Sequence, residues 1–169
     1  MNTQFKAARA ENYRVSDRSA ADIRYLVIHF TANDGDTAKN NADYFAREAP
    51  GVSAHFFVDE KEIWQSVREK DIAWHCGTRG MYFHPYCRNA NSLGIELCSR
   101  KQGEKYYFAP ETVKNARNFV RYLMKKYDIP LANVVRHYDV THKNCPAPFV
   151  EDAAAWQSFK AGLIQLTKE

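Results

Sequence analysis

An almost continuous apolar run, IRYLVIHF, occupies positions 23–30 of this chain. The run is short and rich in Ile, Val and Tyr, which is typical of a strand buried on both faces. A strand of this kind belongs at the centre of a sheet. We therefore expect a sheet whose central strand ends near His29.

Further strands and helices alternate with this run along the chain. Apolar patterns predict four more strands, at residues 54–59, 62–67, 92–98 and 133–137. The first two of these flank a tight turn and predict a hairpin. Helical spacing predicts three helices, at residues 37–48, 110–127 and 152–166. The last helix is expected to bury four apolar side chains, Trp156, Phe159, Leu163 and Ile164. The order predicts an α/β fold, a single domain with a central mixed β-sheet flanked by α-helices.

Length, charge and the distribution of apolar residues limit the class of protein to which this chain can belong. A chain of 169 residues favours one domain. The net charge of +4 favours an anionic partner, but Lys and Arg form no dense tract with aromatic residues, so we expect no nucleic-acid partner. No stretch reaches the roughly 18 apolar residues of a membrane span. The start of the chain has no apolar core of a signal peptide, so we expect a protein made in the cytoplasm. Residues 1–20 are polar and are expected to form an irregular N-terminal lead-in.

The chain has four cysteines, Cys76, Cys87, Cys98 and Cys145. Without a signal peptide, free and partly buried thiols are the expected state. A single disulfide between Cys76 and Cys87, which lie on either side of one loop, is an open alternative.

A metal-binding pattern is visible at two places. His29 closes the buried strand, where the sheet would fix the direction of its ring. His137 and Cys145 lie eight residues apart in the segment RHYDVTHKNCPAP, and a loop of that length can bring both side chains to one ion. Zinc accepts imidazole nitrogen and thiolate sulfur, and a catalytic site uses three protein ligands. The spacing alone leaves the third ligand open among six histidines.

Five motifs taken together resemble a known family. VIHFTA, VSAHFFVDEKEIWQSV, AWHCG, NSLGIELC and RHYDVTHKNCPAP follow one another in the order found in type-2 N-acetylmuramoyl-L-alanine amidases, a family that includes phage and prophage amidases and peptidoglycan recognition proteins. The resemblance covers roughly residues 22–165. It implies a zinc amidase domain, at residues 21–169, with an active-site groove on one face of the sheet.

The resemblance also implies roles for individual residues. It places Zn²⁺ on three ligands, His29, His137 and Cys145. It implies that Glu96 is the catalytic acid/base and that Lys143 stabilises the oxyanion. Some relatives carry a catalytic tyrosine where this chain has Ala54. A mechanism that uses this tyrosine is therefore absent, and more of the catalysis is expected to depend on Glu96.

Within the long segment 68–91, residues 74–91 are expected to form the walls of the groove. Four residues of this segment are predicted to bind substrate, Trp74, His75, Arg79 and Tyr82. His55 and His75 stay open between packed histidines and residues of the site. His84 and His142 are expected to be structural or surface residues, although His142 lies close enough to Cys145 to compete as a ligand.

The function implied by the resemblance is hydrolysis of the amide between N-acetylmuramic acid and L-alanine. The partner would be peptidoglycan or a soluble muropeptide, and the protein would act as a monomer that reaches the wall after its release from the cytoplasm. Two alternatives stay open. One is a module that binds peptidoglycan without cutting it, although the presence of Cys145 disfavours this. The other is a zinc hydrolase for a different amide, reached through changes in residues 68–91.

Overall fold

The structure is a computed structural model that describes residues 3–164. Within this range the main sheet contains six strands: β1 (Gln4–Phe5), β3 (Tyr25–Phe30), β4 (Phe56–Val58), β5 (Ile63–Gln65), β7 (Ser92–Leu97) and β10 (Val134–Arg136). Their order across the sheet is β1-β5-β4-β7-β3-β10. The β4–β5 hairpin is antiparallel and the other neighbours are parallel, which confirms the predicted mixed sheet.

Helices and smaller sheets surround this sheet. The α-helices of the described range are α1 (Ala38–Arg47), α2 (Pro110–Tyr127), α3 (His137–Thr141), α4 (Ala147–Val150) and α5 (Ala153–Ile164). Two-stranded sheets join β2 (Tyr13–Arg14) to β6 (Ile72–Ala73), and β8 (Arg100–Gln102) to β9 (Lys105–Tyr107). Single 3₁₀ turns lie at Ala10–Asn12, Ala20–Asp22, Asn89–Asn91 and Leu131–Asn133. Among residues 3–164, no helix has both the length and the apolar character needed to cross a bilayer.

The two faces of the sheet have different coverings. On β3, Leu26 and Ile28 are fully buried in the large core that α2 and α5 form with the sheet. Val27 lies on the opposite face, in a smaller cluster with the loop after β6. Because side chains alternate along a strand, His29 shares the face of Val27. The functional groups of the strand therefore lie on the side of the sheet away from α2 and α5.

Helix α1 covers part of this second face. It begins after Thr37, whose hydroxyl accepts a hydrogen bond from the backbone N–H of Asn40 at 3.0 Å, while the Asn40 side chain accepts from the Thr37 N–H at 3.1 Å. This reciprocal cap fixes the start of the helix, as the sequence predicts. Ala38 then packs against Phe57 of β4. Helix α1 therefore forms one side of the covering over this second face.

Three predictions about local structure are wrong. Residues 1–20 are not irregular throughout, because β1 extends the main sheet beside β5 and β2 pairs with β6. The strand predicted at 133–137 ends at Arg136, and His137 begins α3. Ile164 is exposed, since α5 turns this position away from the core. The predicted end of the last helix, at residue 166, lies outside the described residues.

Candidate active site

Three elements bring the predicted metal ligands together. His29 is near the carboxyl end of β3, and β10 runs parallel beside it with Arg136 paired to Ile28. His137, the next residue after Arg136, is therefore level with His29. Cys145 approaches from the loop after α3, where its carbonyl accepts a hydrogen bond from the Tyr138 N–H at 2.8 Å. One ligand atom from each of the three side chains lies within 4.8 Å of the other two.

The environment of these three side chains suits a metal ion. All three are buried, and Cys145 Sγ lies 3.7 Å from His29 Nδ1. Both ring nitrogens of His137 are buried without a hydrogen-bond partner. A buried polar atom without a partner is costly, and a bound cation would satisfy it. The chemistry and placement of the donors therefore fit a metal centre.

Burial also sets the protonation of these groups. It lowers the pKa of His29 well below its ordinary value and lowers the pKa of His137 to about 3. Both imidazoles are therefore neutral at neutral pH, which is the form that binds a metal. Burial raises the pKa of the Cys145 thiol to about 12. Metal binding at this thiol must then release its proton, as is usual for cysteine ligands.

Glu96 lies beside the candidate metal ligands. It is the register partner of His29 on β7, and its neighbours Leu93, Ile95 and Leu97 point into the core on the other face, as predicted. Its Oε2 is buried without a hydrogen-bond partner. Burial raises the pKa of the Glu96 carboxyl to about 8, and the nearby charge of Lys143 opposes this rise. A carboxyl of this kind exchanges its proton near neutral pH, as a general acid or base requires.

A groove of about 1040 Å³ opens over this site. The three ligands, Glu96 and Lys143 all contribute to its surface. Trp74 and Arg79 line it as well, in keeping with their predicted contact with substrate. Further lining residues that the sequence analysis did not single out come from α1 and the loop after it, namely Asn41, Phe45, Val52 and Ser53. No local sequence signal marks these positions, since the packing of α1 on β4 and β5 brings them there.

Two of the predicted substrate-binding residues, His75 and Tyr82, have different surroundings from Trp74 and Arg79. His75 borders the groove but is buried, and both of its ring nitrogens have hydrogen-bond partners. Tyr82 is absent from the residues lining the groove in the described range. Its ring instead packs against the cluster around Val27 and lies 3.8 Å from the guanidinium carbon of Arg88.

The other histidines and cysteines have structural partners. His55 accepts a hydrogen bond from the Gly94 N–H at 3.0 Å and lies 3.1 Å from the Asp71 carbonyl, so it is packed. His84 accepts from the backbone of Cys87, and the ring of His142 stacks on Phe83 at 3.4 Å. His142 is not among the described residues that converge on the metal centre. The four cysteines are free thiols.

Comparison with known proteins identifies the family. The family model for N-acetylmuramoyl-L-alanine amidase matches residues 19–148. This chain belongs to the N-acetylmuramoyl-L-alanine amidase family. The match confirms the resemblance that the five motifs carry.

Individual members of the amidase family agree in sequence and in fold. The amidase CwlL of Bacillus licheniformis is 36% identical over 148 residues, which cover 83% of this chain and 40% of CwlL. The chain thus spans about two fifths of that relative's length. The catalytic domain of XlyA superposes with a TM-score of 0.77 at 31% identity, covering 96% of this chain and 99% of that domain. The amidase AmiD of E. coli, solved with the substrate anhydro-N-acetylmuramic acid-L-Ala-D-gamma-Glu-L-Lys, gives a TM-score of 0.65 at 27% identity, covering 90% of this chain and 62% of AmiD.

Proposed function

We propose that this chain is a zinc-dependent amidase that cleaves the bond between N-acetylmuramic acid and L-alanine in peptidoglycan or a muropeptide. The observation that carries the proposal is the buried set of His29, His137 and Cys145 at the floor of an open groove. Two imidazoles and one thiolate are ligands typical of zinc, and three protein ligands leave one position for reaction. The substrate bound to AmiD supports the choice of a muramyl peptide.

An amide is a weak electrophile and water is a weak nucleophile, so both must be activated for hydrolysis. Zinc, when bound by the three ligands, would polarise the amide carbonyl and lower the pKa of the attacking water to about 7. Glu96 as a carboxylate accepts the proton that the water loses. The same carboxyl then gives this proton to the nitrogen of L-alanine as the C–N bond breaks, so that a free amine and a lactyl carboxylic acid result. At neutral pH the acid loses its proton to solvent and the amine takes one up.

We also assign Lys143 the role of stabilising the negative charge of the tetrahedral intermediate. It is an exposed residue of the groove. Burial is the main influence on the neighbouring groups, and the positive charge of Lys143 opposes the rise in the pKa of Glu96 and adds to the lowering of the pKa of His29 and His137. Lys143 also precedes Cys145 by two residues and lines the same groove as Glu96. Its charge favours an oxyanion more than the neutral carbonyl, which is the requirement for lowering the barrier.

The groove supports a role for Trp74 and Arg79 in binding. Trp74 offers an apolar ring face, and the Arg79 guanidinium is suited to a carboxylate of the stem peptide. All of these groups come from one chain, so we also propose that the protein acts as a monomer. The catalytic unit is taken as residues 21–169, with the strands of residues 1–20 packed on it.

Product analysis tests this function. The zinc-loaded protein would be incubated with a purified muramyl tripeptide, and the products would be identified by mass spectrometry. We expect a free muramic acid derivative and a peptide with a new L-alanine amine. Binding without cleavage would favour the peptidoglycan-binding alternative, and cleavage of other amides alone would favour a different substrate.

A further inference from the structure

His75 contacts the proposed metal ligand His29 on the side of its ring away from Cys145. Its ring is buried, and its Nδ1 is 2.9 Å from Nε2 of His29. The other nitrogen of His29, Nδ1, faces Cys145 Sγ at 3.7 Å. His29 therefore has one ring nitrogen toward the metal centre and the other toward His75. None of the described metal-centre atoms belongs to His75 itself.

The hydrogen-bond partners of His75 fix the direction of this contact. Ser92 Oγ donates to the carbonyl of Arg88 at 2.7 Å, so it accepts from His75 Nε2, which lies 3.0 Å away. A neutral histidine has one donor and one acceptor nitrogen, so His75 Nδ1 is the acceptor. The proton between the rings then belongs to His29 Nε2. His29 Nδ1 is left with a free lone pair that points at the metal centre.

The backbone around His75 holds its ring in this orientation. Asn89 Oδ1 accepts hydrogen bonds from the backbone N–H groups of His75 and Cys76, at 3.1 and 2.9 Å. The ring lies directly over Gly94 of β7, where an added Cβ would come within 2.5 Å of His75 Cγ. Glycine at position 94 has no Cβ, and this leaves the space that the His75 ring occupies between the sheet and the metal centre.

We propose that His75 is a positioning residue, which sets the tautomer and the ring orientation of His29 for metal binding. The inference rests on the proposed zinc site and gives His75 a role other than the substrate contact predicted from the sequence. Partners of this kind fix a histidine ligand in the tautomer whose free nitrogen faces the metal.

Zinc affinity, measured by competition with a chelator, tests this role. His75→Leu removes the acceptor, and its affinity is expected to fall about 10–100-fold, the usual loss for an outer partner of a metal ligand. His75→Asn keeps an acceptor near the position of Nδ1 and is expected to stay much closer to wild type. His55→Leu is the matched control, because it changes a neighbouring buried histidine that has no bond to a ligand. His75→Leu with wild-type affinity would overturn the proposal.

Nitrogen-15 NMR of the metal-free protein measures which ring nitrogen of His29 carries the proton. If His75 had only a structural role, its replacement would not change this tautomer. In wild type we expect the His29 proton on Nε2, and in His75→Leu a shift toward a mixture of tautomers. A wild-type His29 with its proton on Nδ1 would overturn the proposal even where the variants do not fold. Failure of wild type to bind zinc would instead contradict the proposed function, which separates the two outcomes.

Discussion

His29 and Glu96 are register partners on β3 and β7, two adjacent inner strands of the sheet. The proposed metal ligand and an unpartnered carboxyl are therefore held side by side by backbone hydrogen bonds rather than by a loop. In the proposed mechanism, the sheet thus sets the position of the acid/base group relative to the metal centre. Groups fixed in this way need little reorganisation during reaction.

Glu96→Gln separates catalysis from metal binding. The amide keeps the shape of the side chain but cannot accept and return a proton, so we expect the cleavage rate to fall about 10²–10⁴-fold. Zinc content should stay at the wild-type level, because Glu96 is outside the ligand set. Cleavage of a muramyl peptide and metal analysis measure the two effects. Glu104→Gln, a change at an exposed turn, is the control. A near-normal rate in Glu96→Gln with zinc intact would remove Glu96 from the mechanism.

Lys143→Ala tests the oxyanion role. Loss of one charge-stabilising donor typically lowers the rate about 10²–10³-fold, and we expect that effect on kcat. Lys125→Ala removes an exposed lysine from α2 and should leave kcat unchanged. Steady-state kinetics on the muramyl peptide measure both variants. Full turnover in Lys143→Ala would show that this lysine is only a surface charge.

Gly94→Ala tests the close approach of the His75 ring to β7. The new methyl group would meet the ring at 2.5 Å, well inside van der Waals contact, so either the ring or the strand must shift. Overpacking of this kind typically costs about 1–3 kcal/mol in the free energy of unfolding. Gly77→Ala is a matched control, since its added Cβ meets only the Asn89 side chain at 3.5 Å. Urea denaturation compares them, and equal stabilities would contradict the packing described here.

Arg18→Ala tests how the N-terminal segment supports the groove. The Arg18 guanidinium donates to the carbonyls of Glu69, Asn89 and Ala90, which lie near the two ends of the segment 68–91. This segment supplies Trp74 and Arg79 to the groove. Hydrogen bonds to a charged group contribute about 1.5–3 kcal/mol, so we expect a loss of that order in the free energy of unfolding. Arg14→Ala, at an exposed position, should change it by less than about 0.5 kcal/mol. Denaturation curves that agree for the two variants would refute this bracing role.

The sequence predicts the parts of the site that depend on alternation along single strands. The apolar run of β3 places His29, and the pattern of β7 places Glu96 opposite the core. The N-terminal strands escaped prediction because each has only two residues and pairs with distant segments, so no local period exists. Their formation depends on tertiary contacts that a single sequence does not display.

The start of α3 and the contact between His75 and His29 were missed for related reasons. The helix begins at His137 because Asp139 accepts hydrogen bonds from the backbone and the guanidinium of Arg136. Arginine is not a usual residue before a helix, so the pattern indicated a longer strand instead. The bond between His75 and His29 joins residues 46 positions apart through their side chains. Such a contact becomes visible only when the sheet and the loop are assembled.

In the proposed function, cleavage depends on a zinc site formed by His29, His137 and Cys145. The most direct measurement is metal content by mass spectrometry, run in parallel with clearing of purified wall on wild type and Cys145→Ser. We expect about one zinc per chain in wild type, with both the metal and the clearing lost in the variant. A wild-type chain without zinc, or a variant that keeps both zinc and clearing, would contradict the account.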